Sequence, residues 1–387
     1  GAGAGCGRRG PALAALGATA ALWGAHNVAA RWLLAGRWEQ PGEGPRPPAR
    51  APSPAGLTAE RGVLGGSALA LAAAWDRDAD DAAEALEPGR GGEGGVPPAA
   101  SPSAPAGARG SDLLLRAGAE IALYDFLGMA LEAWALSEGP DGAPHTTAIR
   151  ASFFAAVTSV LVPPLAGLSG ERVSRAQAAG CALAAAGAAL FALDQGSQAP
   201  PGALDGLAAG LSSGDGAILG AAFFWAAFTV RLSALARRPG ARVVGISAAR
   251  ALVSLAFALV WAAWEASEDR LDWGSYLDWG PLSSGGAALL PLAVLLYTAL
   301  GSGALASTLQ AYGQRGVGSA PAQVVLSTTP LFTTALALAL GLPGEGLGAA
   351  GAAGGGFIVA GSILGSGVLK GRQAPIAGKE ASAEDAP

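Results

Sequence analysis

Along the chain, apolar stretches long enough to cross a bilayer alternate with short polar breaks. Trp279 to Gln314 is 36 residues without a formal charge, Gly316 to Gly344 is 29, and Gly346 to Leu369 is 24. Each exceeds the roughly 20 residues that span a hydrocarbon core. The same pattern predicts ten helical spans, over 12–35, 55–75, 113–136, 147–168, 174–194, 214–234, 243–264, 285–310, 318–341 and 346–369. The breaks are rich in residues that bury little apolar surface. "WEQPGEGPRPPARAPSP" joins the first two spans, an acidic then Pro/Gly/Ala/Ser-rich stretch over 76–111 reads as a disordered loop, and 370–387 reads as a disordered tail.

A repeat organises these spans. Shifting the chain by 174 residues lays "SGERVSRAQAAGCALAAAGAAL" on "PGEGLGAAGAAGGGFIVAGSIL", so that Glu171 meets Glu345, Gly180 meets Gly354 and Gly187 meets Gly361. With a slip of one residue, Leu123, Tyr124, Leu127 and Gly128 meet Leu296, Tyr297, Leu300 and Gly301. Trp23, Ala25 and Val28 are mirrored by Trp225, Ala227 and Val230, and "LTAER" ending at Arg61 is mirrored by "ISAAR" ending at Arg250. Two units are expected, over 12–194 and 213–369. Each has an odd number of spans, so the halves must insert upside down relative to each other, and a substrate would lie near the midplane between them.

Composition agrees: 51% of residues are hydrophobic, 14% are charged, and mean hydropathy is +0.39. Because alanine and glycine inflate such averages, run length is the stronger argument. Counting Lys and Arg by side gives fifteen with the N-terminus against five opposite, which puts both termini on the cytoplasmic or stromal side. The net charge of −5 and scattered arginines leave no nucleic-acid footprint. Cys6 and Cys181 cannot build a disulfide framework.

The chain resembles the EamA family of the drug/metabolite transporter superfamily. The resemblance is carried by "LWGAHNVAARWLL", "PSPAGLTAERGVL", "IRASFFAAVTSVLVPPLAGLSGERVS" with "AAGCALAAAGAALFAL", "GDGAILGAAFFWAAFTV" and "VVLSTTPLFTTALALALGLPGEGLGAAGAAGGGFIVAGSIL". "RAGAEIALYDFLGMALEAWAL" with Gly214 and Asp215 looks most like the plant and algal branch, some of whose members are plastid proteins. Pro163 and Pro164 stand where many relatives keep a proline earlier in the fourth helix. The resemblance implies an all-α integral membrane carrier of ten transmembrane helices, built as two inverted five-helix repeats. It implies small organic metabolites as cargo, amino acids and related solutes foremost, and the plastid envelope or plasma membrane as host.

Several residues stand out against this background. Asp125 is placed near mid-membrane, where an ionised carboxylate costs about 2.5–3.5 kcal/mol and needs a partner or water. Its repeat counterpart is Thr298, so the acid exists in one half only. It reads as a cavity group that binds a substrate amine or carries a proton, or as a structural partner of Arg61 or Arg250. Trp23, His26 and Asn27 on the first span, Trp225 and Thr229 on the sixth, and Tyr124 and Tyr297 would complete an aromatic and polar cavity lining. Taken singly, each also suits helix-to-helix hydrogen bonding. Arg116 and Glu120 are four residues apart, the spacing of an ion pair on one helix face. Glu171 and Glu345 follow glycines at helix breaks and are expected to cap the next helix. Arg61 and Arg250 would snorkel or cap carbonyls, with anion binding as a further option.

No catalytic constellation is visible. His26 and His145 lie on different segments, and no cysteine cluster or activated nucleophile is present, so neither enzyme activity, metal nor cofactor is expected. The expected partners are a small-molecule substrate, the bilayer and protons. Two other readings stay open, a sugar-phosphate or nucleotide-sugar exchanger and a non-transporting membrane scaffold or sensor. If Asp125 serves transport, Asp125→Asn alters uptake or its pH dependence in a vesicle assay; unchanged values for both would remove that role.

Overall fold

The computed structural model describes residues 6–34, 54–86, 106–136, 145, 157–197, 213–238, 241–268, 289–340 and 348–366. Among these residues the chain is all-helical. The first half holds α1 (Cys6–Leu34), α2 (Pro54–Leu86), α3 (Ala106–Leu136), α4 (Thr158–Leu168) and α5 (Arg175–Ser197). The second holds α6 (Ser213–Ala236) and α7 (Val243–Ser267), then α8 (Leu289–Leu296), which continues through a π-helical stretch (Tyr297–Leu305) into α9 (Ala306–Val317). Next come α10 (Ser319–Leu326), α11 (Thr329–Ala339) and α12 (Ala349–Ser366).

Four described segments are long and apolar enough to cross a membrane: Ser213–Ala236, Val243–Ser267, Leu292–Val317 and Ala349–Ser366. In the first half α3 carries Arg116, Glu120, Asp125 and Glu132 along its length, which dilutes its apolar character. Large apolar side chains nevertheless point outward, with Leu168 86% exposed, Trp75 77% and Leu71 73%. A water-facing surface would hide them, whereas lipid would solvate them.

Helix ends differ from expectation in three places. α2 runs past Trp75 to Leu86, and α3 begins at Ala106, so both helices enter the stretch read as a loop. The eighth span extends to Val317, where Gly318 at φ 88° turns the chain into α10. The ninth span is interrupted by a turn at Ser327 and Thr328 before Pro330 opens α11. That proline sits in the first turn, where its missing N–H costs no helical hydrogen bond. Glu345 lies outside the described residues.

Close backbone approach at small residues holds the helices together. α5 and α12 run antiparallel: a Cβ added at Gly180 would sit 2.7 Å from the Gly361 carbonyl oxygen, and one at Gly187 would sit 2.5 Å from that of Gly354. The 174-residue shift carries the Gly180–Gly361 contact onto Gly354–Gly187. α2 and α7 behave alike. Gly62 packs on Leu255 and Gly66 faces Ala251, and a shift of 189 residues, the spacing of Arg61 and Arg250, exchanges these two contacts. The same shift exchanges the neighbours Ala59 and Ala258 with Ala248 and Leu69. Elsewhere Gly24 lies against Phe332, Gly313 against Leu16, and Gly128 against Trp225. Since lipid removes the hydrophobic drive between helices, such contacts supply dispersion attraction that bulkier residues would prevent.

Gly180→Ala is therefore expected to destabilise the fold by about 1–3 kcal/mol through overpacking. Gly356→Ala, with nothing within 4 Å of the added carbon, should leave stability unchanged or raised. Unfolding midpoints in detergent, followed by tryptophan fluorescence, would compare the two.

A cavity between two arginines

Where α2 and α7 cross, their small residues leave a cavity of about 90 Å³ between themselves, α3 and the π-helical stretch. Leu255, the middle residue of α7, is on its wall, so the cavity lies near the centre of that helix. Arg61, Asp125, Arg250 and Ser254 are among its polar lining, with Gly62, Gly65 and Ala251 among its small residues. Gly65 is needed there because a Cβ would come within 2.7 Å of the Ala299 carbonyl oxygen.

The two arginines, which end the matching LTAER and ISAAR segments, have different partners. Arg250 donates from one guanidinium nitrogen to Asp125 and from the other to the Ser307 hydroxyl, and it lies 5.8 Å from the centre of the Phe228 ring. The ion pair is mostly shielded, with side-chain exposures of 13% for Arg250 and 16% for Asp125. Arg61 donates through Nε to the Thr298 carbonyl oxygen at 3.4 Å. No carboxylate lies within ion-pair distance of Arg61 among the described residues. The Ser254 hydroxyl oxygen is buried without a hydrogen-bond partner among them.

The π-helical stretch supplies the acceptors on the opposite wall. A π-helix pairs each carbonyl with the N–H five residues on, and the second lone pair of such a carbonyl stays open to a side-chain donor. Thr298 O accepts from Arg61 and from Ser302 Oγ at 2.9 Å. Ser302 O accepts from Trp23 Nε1 at 3.2 Å, and Ala306 O, just beyond the stretch, accepts from Thr19 Oγ1 at 3.3 Å. Gly303 O accepts from Ser307 Oγ, the hydroxyl that also meets Arg250.

The expected site residues consequently fall into separate groups. Asp125 lines the cavity, whereas Thr298 is not on its wall: its carbonyl accepts from Arg61 and its hydroxyl bonds to Leu295 O at 2.8 Å. Trp23, His26 and Tyr297 form a seam between α1 and the π-helical stretch: His26 Nδ1 meets Ser302 Oγ at 3.0 Å, and the Tyr297 hydroxyl donates to Leu22 O at 2.7 Å. Tyr124 packs on the cluster of Ile121, Phe228 and Leu232, Trp225 fills the space left by Gly128, and Thr229 is buried at 4% exposure. Asn27 is on α1, and its side chain lies outside the described residues. Arg61, Arg250, Ser254 and Ser307 were not among the expected cavity residues. The two arginines were expected as structural partners of Asp125 or as carbonyl caps, and Arg250 pairs with Asp125 while Arg61 meets the Thr298 carbonyl.

Two electrostatic expectations are corrected. Glu120 takes a bidentate ion pair from Arg231 of α6, at 2.6 and 2.7 Å, rather than from Arg116 one turn away. The fork of a guanidinium from a facing helix matches both carboxylate oxygens, a geometry that helical neighbours do not offer. Glu171 caps a helix, but not the next one. It accepts from the Ser319 backbone N–H at 2.9 Å and from its hydroxyl at 2.8 Å, and pairs with Arg237 at 2.9 Å. The first half thus caps α10 of the second. Asp194, at the end of α5, likewise accepts from the Gly348 N–H at 2.6 Å ahead of α12. Among the described residues no group of three metal-ligating side chains occurs.

Asp125→Ala should lower stability by about 3 kcal/mol, because it leaves the Arg250 charge shielded and uncompensated. The double variant Asp125→Leu, Arg250→Met should recover most of that loss in chemical denaturation.

Residues 212–366 match the EamA-like transporter family profile. Eleven solved chains have a similar fold. One of them, from a crystal structure titled only as that of a protein, superposes with a TM-score of 0.59 at 17% identity, covering 94% of this chain and 100% of its own. A comparison with curated proteins finds no match.

Proposed function

We propose that the chain, whose residues 212–366 match the EamA-like transporter family of membrane transporters, is a ten-helix carrier of small organic, amino-acid-like solutes. In this reading the two five-helix units, 12–194 and 213–369, are inverted halves that rock about the cavity between α2 and α7, opening it alternately to either side of the membrane. Both termini are proposed to face the cytoplasm or stroma, in a plastid envelope or plasma membrane.

The observation that carries this reading is the exchange of contacts under the repeat shifts. Helix pairs α2–α7 and α5–α12 are each self-complementary, as a two-fold axis in the membrane plane requires. The polar cavity lies at one of those crossings. The exchanger of phosphorylated solutes keeps some support from two arginines on one cavity, although Arg250 is already neutralised by Asp125.

Counterflow in proteoliposomes tests the proposal directly. Saturable exchange of labelled amino acids is expected, exceeding that of sugar phosphates and nucleotide sugars. Absence of exchange by correctly inserted, folded protein would favour a scaffold. Exchange confined to phosphorylated solutes would favour the second reading.

A further inference from the structure

We infer that the cavity beside Arg61 takes the carboxylate of a small organic acid, at the place where the second half lacks the acid that the first half possesses. The inference rests on the reading of this cavity as a solute site and names the chemistry that fills it. In the repeat, Arg250 corresponds to Arg61 and Asp125 to Thr298. The contacts correspond as well. Arg250 engages Asp125, and Arg61 reaches the backbone of Thr298, the position where a matching acid would stand.

One half-site is therefore a closed ion pair and the other an arginine beside a neutral threonine. Asp125 acts on Arg61 across the cavity but is bonded to Arg250. The shielded Arg61 guanidinium therefore has no carboxylate within ion-pair distance among the described residues, and a carbonyl at 3.4 Å satisfies one of its five N–H donors without supplying charge. Arg61, Arg250 and Asp125 together leave the cavity one positive charge in excess. Its volume of about 90 Å³ holds a few heavy atoms, which suits a solute with one carboxylate and a short substituent. A carboxylate also matches the planar fork of Arg61 in bidentate fashion. Ser254 Oγ, buried and unpartnered on α7 across from Arg61, provides a hydroxyl for the remainder of the solute.

The test is equilibrium binding to the full chain in lipid nanodiscs by calorimetry, with glycine and L-lactate against their amides, glycinamide and lactamide, and with inorganic phosphate. Both acids should bind saturably, and the amides at least tenfold more weakly. Arg61→Gln should weaken acid binding at least tenfold, with Arg61→Lys intermediate. If Arg61→Gln does not fold, the acid-to-amide ratio of the wild type and the Lys variant decide the matter.

Equal binding of acids and amides, unaltered binding in the Arg61 variants, or no saturable binding of either acid would overturn the inference. Arg61-dependent binding of phosphate in preference to both acids would overturn it too. Counterflow with the same purified protein in proteoliposomes separates the two proposals. Arg61-dependent binding without exchange removes the carrier and keeps the site, whereas exchange indifferent to Arg61 removes the site and keeps the carrier.

Discussion

Two antiparallel helix crossings, each made possible by the absence of side chains, set the geometry on which everything else depends. In lipid, helices gain little from hiding apolar surface in one another, so association relies on close packing and polar contacts. At the α5–α12 crossing, backbone touches backbone at Gly180, Gly187, Gly354 and Gly361. At α2–α7 the approach is looser. The room released there beside Gly62, Gly65 and Gly66 becomes the cavity. One crossing works as a clasp and the other as a chamber wall.

Charge is distributed with similar economy. The carboxylates of Glu171 and Asp194 sit at the starts of α10 and α12, where they meet exposed N–H groups and the positive end of each helix. In both cases the donor belongs to the second half and the acceptor to the first. These links tie the halves at their edges, while Asp125 and Arg250 join them near the centre, α3 to α7. The π-helical stretch adds a third kind of tie, in which its carbonyls receive side-chain donors from α1 and α2.

Much of this architecture was legible in the amino-acid order. Uncharged runs locate apolar helices because transfer costs leave few alternatives for such segments: α8, α10, α11 and α12 fall within them, and α9 passes the end of its run by three residues. The proposed repeat rests on scarce residues, Trp23 with Trp225, Tyr124 with Tyr297 and Arg61 with Arg250. Local rules failed where a facing helix competed with a neighbour in the chain. Glu120 lies one turn from Arg116 yet binds Arg231, and Glu171 precedes α5 yet caps α10. The π-helical stretch left no sign in hydropathy, since Tyr297–Leu305 is as apolar as an ordinary helix. Its presence decided which of Trp23, His26 and Tyr297 would meet a carbonyl instead of the cavity.

The acid that exists in only one half has an energetic corollary. A carrier whose halves were identical would have two degenerate faces, and its empty form would populate each equally. In the proposed carrier Asp125 has no twin, so reversing the halves would exchange an arginine paired with a carboxylate for one facing a threonine, and the two orientations would differ in free energy. Each 1.4 kcal/mol of that difference shifts the resting populations tenfold. In the proposed carrier the unmatched carboxylate would thus give the empty protein a preferred side on which to wait.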